Sequence, residues 1–263
     1  MCIILLAYKS HPVYPLVLAA NRDEFYERPT AVAHFWEDAA GLLGGRDLER
    51  GGTWLGVTDT GRIAAITNFR EPGQRLTDAP SRGLLVSDFL RSHETPETYL
   101  ERLATDGAPY NGFNLIVGDS RRLCYYSNRA QAYQTLAPGV YGVSNHLLDT
   151  PWPKVTRGKA ALAEILAAGD ALQPDAIFRL LADRSCADDG CLPDTGVGLE
   201  LERTLSPLFI TSPIYGTRSS TVLLQDHEDR MTFIERTFTR GADHWDEAVY
   251  EFKIRRDHES NSR

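Results

Sequence analysis

Residues Met1–Glu24 read MCIILLAYKSHPVYPLVLAANRDE, in which the apolar runs Ile3–Tyr8 and Val13–Ala20 surround the polar break Lys9–Pro12. Two short apolar runs around such a break predict a β-hairpin of buried strands. Pro15 shortens the second strand, because proline cannot donate a hydrogen bond to the ladder. A buried hairpin at the amino terminus is therefore the first element expected of this fold.

The polar tetrad Asn21–Glu24 ends the second apolar run abruptly. If the hairpin turns at residues 11 and 12, Cys2 lies opposite Asn21, and Arg22 and Asp23 lie just beyond it. A thiol, a guanidinium and a carboxylate then meet at one end of a buried hairpin, which is typical of an active site. The structural alternative is that Cys2 is a small apolar residue of the strand and that the tetrad is a solvated loop.

Cys2 gains a second chemical role if Met1 is removed, which a small second residue permits. The α-amino group of Cys2, with an ordinary pKa of about 7.7–8, can then take the proton of its own thiol. Arg22 is expected to favour the thiolate, and Asp23 to hold the ammonium or the guanidinium in place. The sequence thus predicts Cys2 as a nucleophile with Arg22 and Asp23 beside it.

Three further motifs accompany this start: Gly51–Gly56 (GGTWLG), Thr67–Arg70 (TNFR) and Gly142–Asn145 (GVSN). Together with Met1-Cys2 and the tetrad, they resemble the NRDE (transport and Golgi organisation protein 2) family over most of the chain. That family resembles the N-terminal-nucleophile hydrolases of the choloylglycine hydrolase and penicillin V acylase group. The resemblance implies an α+β fold, an αββα sandwich of two antiparallel sheets flanked by helices, with Cys2 as nucleophile.

The same resemblance implies catalytic roles for Arg22, Asp23, Asn68, Asn145 and Arg218. From the residues themselves, Asn145 follows a predicted strand, where its amide can polarise a carbonyl oxygen as in an oxyanion hole. Asn68 ends a predicted hairpin and can act likewise, while Arg218 can anchor a substrate carboxylate. The alternatives are turn-forming asparagines and a solvent-facing arginine.

The composition is that of an ordinary soluble globular protein, with 42% apolar and 24% charged residues. A chain of 263 residues suits a single domain, 1–263, with a frayed tail expected from about residue 257. The formal net charge of −8 argues against a nucleic-acid or anionic-membrane surface. The amino terminus lacks the basic region of a signal peptide, and no stretch reaches the ~18–20 apolar residues of a membrane span. Four cysteines make no disulfide framework, so a reduced, cytoplasmic protein is expected.

Periodicity and turn signals predict the remaining elements. Hairpins are expected at 53–58/62–67 and 113–118/123–126, further strands at 140–144, 221–225 and 231–238, and helices at 82–92, 96–105, 153–168 and 175–182. Residues 25–49, with turn signals at Gly44-Gly45, and the acidic stretch 187–198 are expected to be loops.

Two functions fit these observations. The first is a cysteine hydrolase that acts on an amide or thioester with an apolar acyl group. The second, implied by the resemblance, is a trafficking protein that binds haem, an acyl lipid or acyl-coenzyme A with little turnover. Trp54 and Phe69 lie near the motifs and suit the ligand pocket of either, although aromatic residues also build ordinary cores. An enzyme-derived scaffold that only mediates contacts is a third interpretation.

Metal chemistry has little support in the sequence, because the seven histidines include no close-spaced ligand pair. Only His146, beside Asn145, is placed to approach the site. It can serve as a ligand-binding residue, for example on a haem iron, or be a water-bonded loop histidine. The sequence therefore requires no cofactor, keeps haem as a possible bound ligand, and indicates a small-molecule partner with an apolar part.

Overall fold

A computed structural model describes residues 2–74, 76–106, 110–119, 121–130, 132–169, 171–239 and 244–255. Its strands, in chain order, are β1 (Cys2–Tyr8), β2 (Leu16–Phe25), β3 (Thr30–Phe35), β4 (Leu42–Asp47), β5 (Leu55–Thr58), β6 (Ile63–Asn68), β7 (Phe113–Gly118), β8 (Leu123–Ser127), β9 (Ala132–Thr135), β10 (Gly139–Val143), β11 (Tyr215–Gln225), β12 (Arg230–Phe238) and β13 (Trp245–Lys253). Its α-helices are α1 (Arg82–Arg91), α2 (Pro96–Asp106), α3 (Pro153–Ala167), α4 (Pro174–Leu181) and α5 (Leu199–Thr204).

The strands form two antiparallel sheets. The six-stranded sheet has the order β10-β1-β2-β11-β12-β13, and the seven-stranded sheet runs β3 to β9 in sequence order. The first hairpin thus lies inside the six-stranded sheet, paired on both sides, with β10 next to β1 and β11 next to β2.

Three apolar layers hold the sheets and helices together, and the side-chain alternation of β1 shows why. Ile4 and Leu6 pack between the two sheets, whereas Ile3 and Leu5 pack under α3 and α4. The hairpin reads as continuously apolar because both of its faces are buried. A third cluster joins α1 and α2 to the seven-stranded sheet around Phe89. The predicted αββα sandwich is therefore confirmed, and within the described ranges no helix is long and apolar enough to span a membrane.

The predicted register of the first hairpin was wrong by one residue. Cys2 lies opposite Arg22, and Ile3 lies opposite Asn21, because the strands pair only as far as Tyr8 and Leu16. A slip of one residue moves every side chain to the other face of a sheet. The observed register places Cys2 and Arg22 on the face between the sheets, and hence Asp23 on the face under the helices.

Residues 25–49 contain two strands, β3 and β4, where a loop was predicted. Gly44 and Gly45 lie inside β4 and make no turn. A Cβ on Gly44 would lie 2.7 Å from the carbonyl oxygen of Leu55, and one on Gly45 would lie 2.3 Å from the Trp54 ring. These glycines let neighbouring strands and an indole approach the backbone closely, and that requirement cannot be distinguished from a turn signal in the sequence.

The other predicted elements match the structure to within a few residues, except at the carboxyl-terminal strands. β11 begins at Tyr215 and not at residue 221, and β9, β13 and α5 were not predicted. The stretch 187–198 is irregular apart from one short 3₁₀ turn. The tail expected from residue 257 lies outside the described residues.

Candidate active site

Cys2 stands at the first position of β1, half-buried and with a free thiol. Burial and, to a smaller extent, the Asp23 charge hold the pKa of this thiol above its ordinary value, whereas the backbone N–H of Asp23, which donates a hydrogen bond to the sulfur, and the Arg22 guanidinium lower it. The Ser144 hydroxyl donates to the carbonyl oxygen of Cys2 at 2.9 Å and fixes the strand end to β10. The nucleophile expected from the sequence is thus held in place, with groups that favour its thiolate next to it.

Arg22 lies on the same face of the sheet as Cys2 and is only 6% exposed. Its guanidinium carbon lies 4.2 Å from the centre of the Trp54 ring, which is a cation–π distance. Its Nη1 donates to the Thr30 hydroxyl at 3.2 Å, and Nη2 lies 4.0 Å from the Glu24 carboxylate. The positive charge is therefore fixed beside the thiol by residues of both sheets.

Asp23 faces the helices and is 2% exposed. Burial raises the pKa of its carboxyl group, while the charge of Lys154 and a hydrogen bond from the Thr217 hydroxyl (2.7 Å to Oδ1) lower it. The Tyr215 hydroxyl, whose pKa burial keeps well above its usual value, donates to the Asp23 carbonyl oxygen at 2.9 Å. The strand β11 thus fixes both the side chain and the backbone of Asp23.

Asn21, the first residue of the tetrad, stabilises the fold through buried hydrogen bonds. Its Nδ2 donates at 2.8 Å to the carbonyl oxygens of both Leu181 and Leu208, and the Ser220 hydroxyl donates to its Oδ1 at 2.6 Å. Leu181 is the last residue of α4, whose final carbonyls have no partner inside the helix. Asn21 therefore ties the end of α4 to the sheet that carries the site.

A cavity of about 770 Å³ opens over Cys2. Trp54 and Phe69, the two aromatic residues expected to bind a ligand, line it. Its apolar walls are Phe25, Trp54, Ile66, Phe69, Pro72, Leu76, Pro80, Val197, Leu201, Leu205, Ile214 and Tyr215. Several of these side chains remain exposed at the rim, among them Ile214 (61%) and Phe25 (52%). Charged side chains line the rest of the cavity, so a thiol under this partly apolar and partly charged wall suits a ligand that has both an apolar and a polar part.

Asn68 and Asn145 lie together, as expected, but only Asn68 lines the cavity. The Asn145 side chain is fully buried, and its Nδ2 donates to the Asn68 carbonyl oxygen at 3.0 Å. The backbone N–H of Arg70 donates to the Asn145 carbonyl oxygen at 2.7 Å. Asn145 therefore supports the strand end that carries Asn68, and of the two asparagines only Asn68 is placed to contact a ligand in the cavity.

Arg218 and His146 lie away from the cavity wall, contrary to expectation. Arg218 donates to the carbonyl oxygens of Phe25 (2.8 Å) and Arg28 (3.2 Å), so it supports the turn after β2. The ring of His146 lies behind Phe69, with its centre 4.8 Å from the Phe69 ring centre, and its Nδ1 is 2.9 Å from the Thr150 hydroxyl. The described residues that line the cavity include no histidine.

The sequence interpretation missed a buried ion pair that closes one side of the cavity. Arg70 and Glu202 pair with side chains that are 6% and 4% exposed. The guanidinium of Arg70 also lies 4.8 Å over the Trp152 ring, and the Thr195 N–H donates to Glu202 at 3.0 Å. Arg70 belongs to a motif that the sequence singled out, but Glu202 lies far along the chain on α5. The pair holds α5, and with it the cavity residue Leu201, against the site.

Lys154 was also missed. It is the second residue of α3 and is only 2% exposed, and its Nζ has no hydrogen-bond partner among the residues that the structure describes. A lysine near a helix start normally faces solvent, so nothing in the sequence indicated this position. No group of three or more His, Cys, Asp or Glu side chains in the described ranges is placed to hold a metal ion.

Comparison with known sequences identifies a family. The family model for Transport and Golgi organisation 2 matches residues 1–240. The Transport and Golgi organization 2 homolog of Mus musculus is 38% identical over 275 residues, which cover 97% of this chain and 99% of the mouse protein. The Transport and Golgi organization protein 2 of Drosophila melanogaster is 32% identical over 268 residues, with 91% and 93% covered.

Comparison with solved structures identifies the fold. A mutant of the conjugated bile acid hydrolase from Clostridium perfringens superposes with a TM-score of 0.55, 8% identity, and 97% of each chain covered. An N-acylethanolamine-hydrolyzing acid amidase ortholog from Caenorhabditis elegans superposes with a TM-score of 0.51 and 10% identity, covering 85% of this chain and 92% of the amidase. Both have the N-terminal-nucleophile hydrolase fold, and at these identities the likeness extends to the fold alone.

Proposed function

The chain belongs to the Transport and Golgi organisation 2 family and has the fold of N-terminal-nucleophile hydrolases, and on these premises we propose that it is a cysteine hydrolase of that type. Its substrate is an amide or a thioester with an apolar acyl group. The observation that carries this proposal is the position of Cys2: its thiol lies under a cavity of about 770 Å³, next to the Arg22 guanidinium and within a hydrogen bond of the Asp23 N–H.

The reaction begins with removal of Met1, which gives Cys2 a free α-amino group. That amine takes the thiol proton, and the thiolate attacks the acyl carbonyl carbon. The side chain of Asn68, presented by Asn145, donates to the oxyanion of the tetrahedral intermediate. Collapse of the intermediate breaks the bond to the leaving group, which departs with the proton from the α-ammonium. Water, deprotonated by the same amine, then attacks the acyl thioester, so the acid is released and the thiol is restored.

A binding protein is the alternative, and the size and apolar rim of the cavity favour it as much as they favour an enzyme. Such a protein holds an acyl lipid, acyl-coenzyme A or haem with little turnover. It needs the walls of the cavity and not the thiol. For haem, the cavity supplies no histidine from the described residues, so His146 is a poor candidate for the iron ligand.

The two functions differ in which substitution should impair the protein more: that of Cys2 for a hydrolase, and that of a cavity-wall residue for a binding protein. We expect Cys2→Ala to reduce hydrolysis of acyl amides or acyl thioesters to background and to leave ligand binding intact. Trp54→Ala should weaken binding of both substrates and inert acyl ligands. Cys186→Ala is the matched control, because Cys186 is an exposed free cysteine outside the cavity.

The assay screens acyl amides and acyl thioesters of several chain lengths, together with haemin, on the wild type and these three variants. Intact mass first establishes whether Met1 is absent from each protein. Tight binding of a lipid or haemin that is insensitive to Cys2→Ala, with no turnover of any acyl substrate by the processed wild type, would overturn the hydrolase in favour of the carrier.

A further inference from the structure

The amine of Lys154 is buried at the end of the sheet that carries Cys2. α3 packs on β1 and β10, and Val155, the residue after Lys154, belongs to the same apolar cluster as Ile3. Lys154 thus lies over the sheet end where Cys2 begins β1 and Asp23 faces the helices. Its Nζ makes no hydrogen bond to any described residue.

Titratable or charged groups from three elements, and one from the segment after β6, face this amine. Asp23 on β2, the Cys2 thiol on β1 and Glu202 on α5 favour its protonated form, while Arg70, which follows β6, opposes it. Burial has the largest effect and lowers the pKa of Lys154 to about 8. At neutral pH the amine therefore remains mostly charged. An ammonium without hydrogen bonds in a protein interior costs several kcal/mol, so a packing role alone gives no reason for a lysine here.

We propose that Lys154 is a positioning residue of the Cys2 site, whose ammonium is the countercharge of Asp23 and sets the field in which the Cys2 thiol loses its proton. The proposal deepens the proposed function, on which it rests for the use made of that proton. Lys154 acts through Asp23 and does not line the cavity, so it touches no substrate.

The register explains how this charge acts on the base as well as on the nucleophile. Cys2 lies opposite Arg22, and the backbone N–H of the next residue of β2, Asp23, donates a hydrogen bond to the Cys2 sulfur. After removal of Met1, the α-amino group of Cys2 therefore faces Asp23, and two cations share one carboxylate. A nearby like charge disfavours protonation, so Lys154 keeps more of the α-amino group in the neutral form that can accept the thiol proton.

The test measures the rate of Cys2 alkylation by iodoacetamide from pH 5 to pH 10, read by intact mass on the full chain. Removing the ammonium in Lys154→Met should raise the pH midpoint of alkylation by about one unit or more, that is, slow the reaction about tenfold below the midpoint. Lys154→Arg, which keeps the positive charge, should give the same alkylation profile as the wild type. Lys159→Met is the matched control, because Lys159 lies on the same helix in a partly exposed pair with Asp149.

A double-mutant cycle covers the case in which Lys154→Met, by removing one of the positive charges that face Asp23, does not fold. Asp23→Asn alone should lower the midpoint, because the Asp23 charge raises the pKa of the Cys2 thiol. Adding Lys154→Met to Asp23→Asn removes the remaining ammonium and should raise the midpoint again. Superposed profiles for the wild type and Lys154→Met, or for Asp23→Asn and the double variant, would overturn the proposal.

The alkylation assay needs no substrate, so it separates this proposal from the proposed function. If the wild type hydrolyses no substrate but Lys154→Met shifts the alkylation midpoint, the role of Lys154 is retained and the hydrolase proposal is overturned. Turnover by the wild type with an unshifted midpoint in Lys154→Met would retain the hydrolase and sink the role of Lys154.

Discussion

At the scale of single residues, the chemistry of the site is set from both faces of one sheet. Cys2 and Arg22 face the space between the sheets, while Asp23 and Lys154 lie under the helices. The Cys2 sulfur contacts Asp23 through a hydrogen bond from the Asp23 backbone N–H. The Cys2 thiol therefore responds to charges on both faces of the sheet, of which Asp23 lines the cavity and Lys154 lies outside it.

Processing and reactivity of Cys2 give the first prediction. We expect the mature chain to lack Met1, and Cys2 to react with iodoacetamide much faster than Cys124. Cys124 is fully buried in the sheet core, and burial raises the pKa of its thiol to about 11. Intact mass followed by peptide mapping after brief alkylation measures both quantities. Met1 retained on the folded, purified protein would exclude the terminal amine as the base.

At the scale of elements, a few buried polar contacts hold pieces of the site together. Asn21 ties α4 to the central sheet, the pair Arg70–Glu202 ties α5 to the cavity, and Glu235 ties one sheet to the other. Such contacts join elements that lie far apart in sequence. Their loss is therefore expected to loosen an element and not only to lower the overall stability.

Glu202→Gln tests the tie of α5. The change removes the carboxylate charge that pairs with the buried Arg70 guanidinium, which is expected to cost about 3–5 kcal/mol of unfolding free energy or to release α5. Glu200→Gln is the control, since Glu200 lies on the same helix with a 90% exposed side chain, where an ion pair contributes about 0–1 kcal/mol. Hydrogen exchange of residues 199–204 and urea unfolding of both variants measure the effect. Equal protection of α5 in the two variants would contradict the tie.

Glu235 gives a prediction for pH. It accepts a hydrogen bond from the Ala33 N–H on the opposite sheet at 2.8 Å, and burial raises the pKa of its carboxyl to about 7. The folded state thus holds this proton in a range where the unfolded chain, with an ordinary pKa of 4.5, releases it. The contribution of Glu235 to stability is full below about pH 4.5 and is lost as the pH rises through about 7.

Glu235→Gln keeps the shape of this contact and removes the titration. Relative to the wild type, the variant should gain unfolding free energy between pH 5 and pH 8, by on the order of 1–3 kcal/mol. Urea unfolding of both proteins at pH 5 and pH 8 measures the difference in their unfolding free energies. Groups that titrate in the same way in both proteins do not contribute to this difference. A wild-type minus variant difference that is the same at pH 5 and pH 8 would show that Glu235 does not titrate as described.

At the scale of the whole molecule, the sequence was sufficient to predict the layers of sheets and helices, but it did not reveal which charged side chains are buried beside the site. Continuous apolar runs in β1 and β2 predicted strands buried on both faces, and the helices and hairpins followed from periodicity. The register of Cys2 was missed because it depends on the length of the turn, and residues 9–15 pack irregularly. Glu202 and Lys154 carry no local signal, since only the tertiary fold buries them.

The cavity gives a prediction at this scale as well. Part of its wall is apolar, so affinity for acyl ligands should rise with chain length by about 0.8 kcal/mol, or roughly threefold to fourfold, for each CH₂ until that part of the wall is covered. Ile214→Ser, at the rim, should flatten this dependence. Val249→Ser, at a similarly exposed apolar position on β13 outside the cavity lining, should not. Titration calorimetry with an acyl series checks it, and affinity independent of chain length would contradict an acyl pocket.

The place of β1 inside its sheet has a consequence for the timing of biosynthesis. Cys2 leaves the ribosome early, and its first neighbour, β2, follows directly. The second neighbour of β1 is β10, at residues 139–143. The strand that contacts Asp23 is β11, at residues 215–225, which is made much later. Until residues 139–143 have been made, β1 therefore has a partner on one edge only, and we expect a methionine aminopeptidase to reach the amino terminus during this time. The Cys2 thiol has its complete surroundings only after β11 has been made, so a partly synthesised chain should not carry out the proposed hydrolysis.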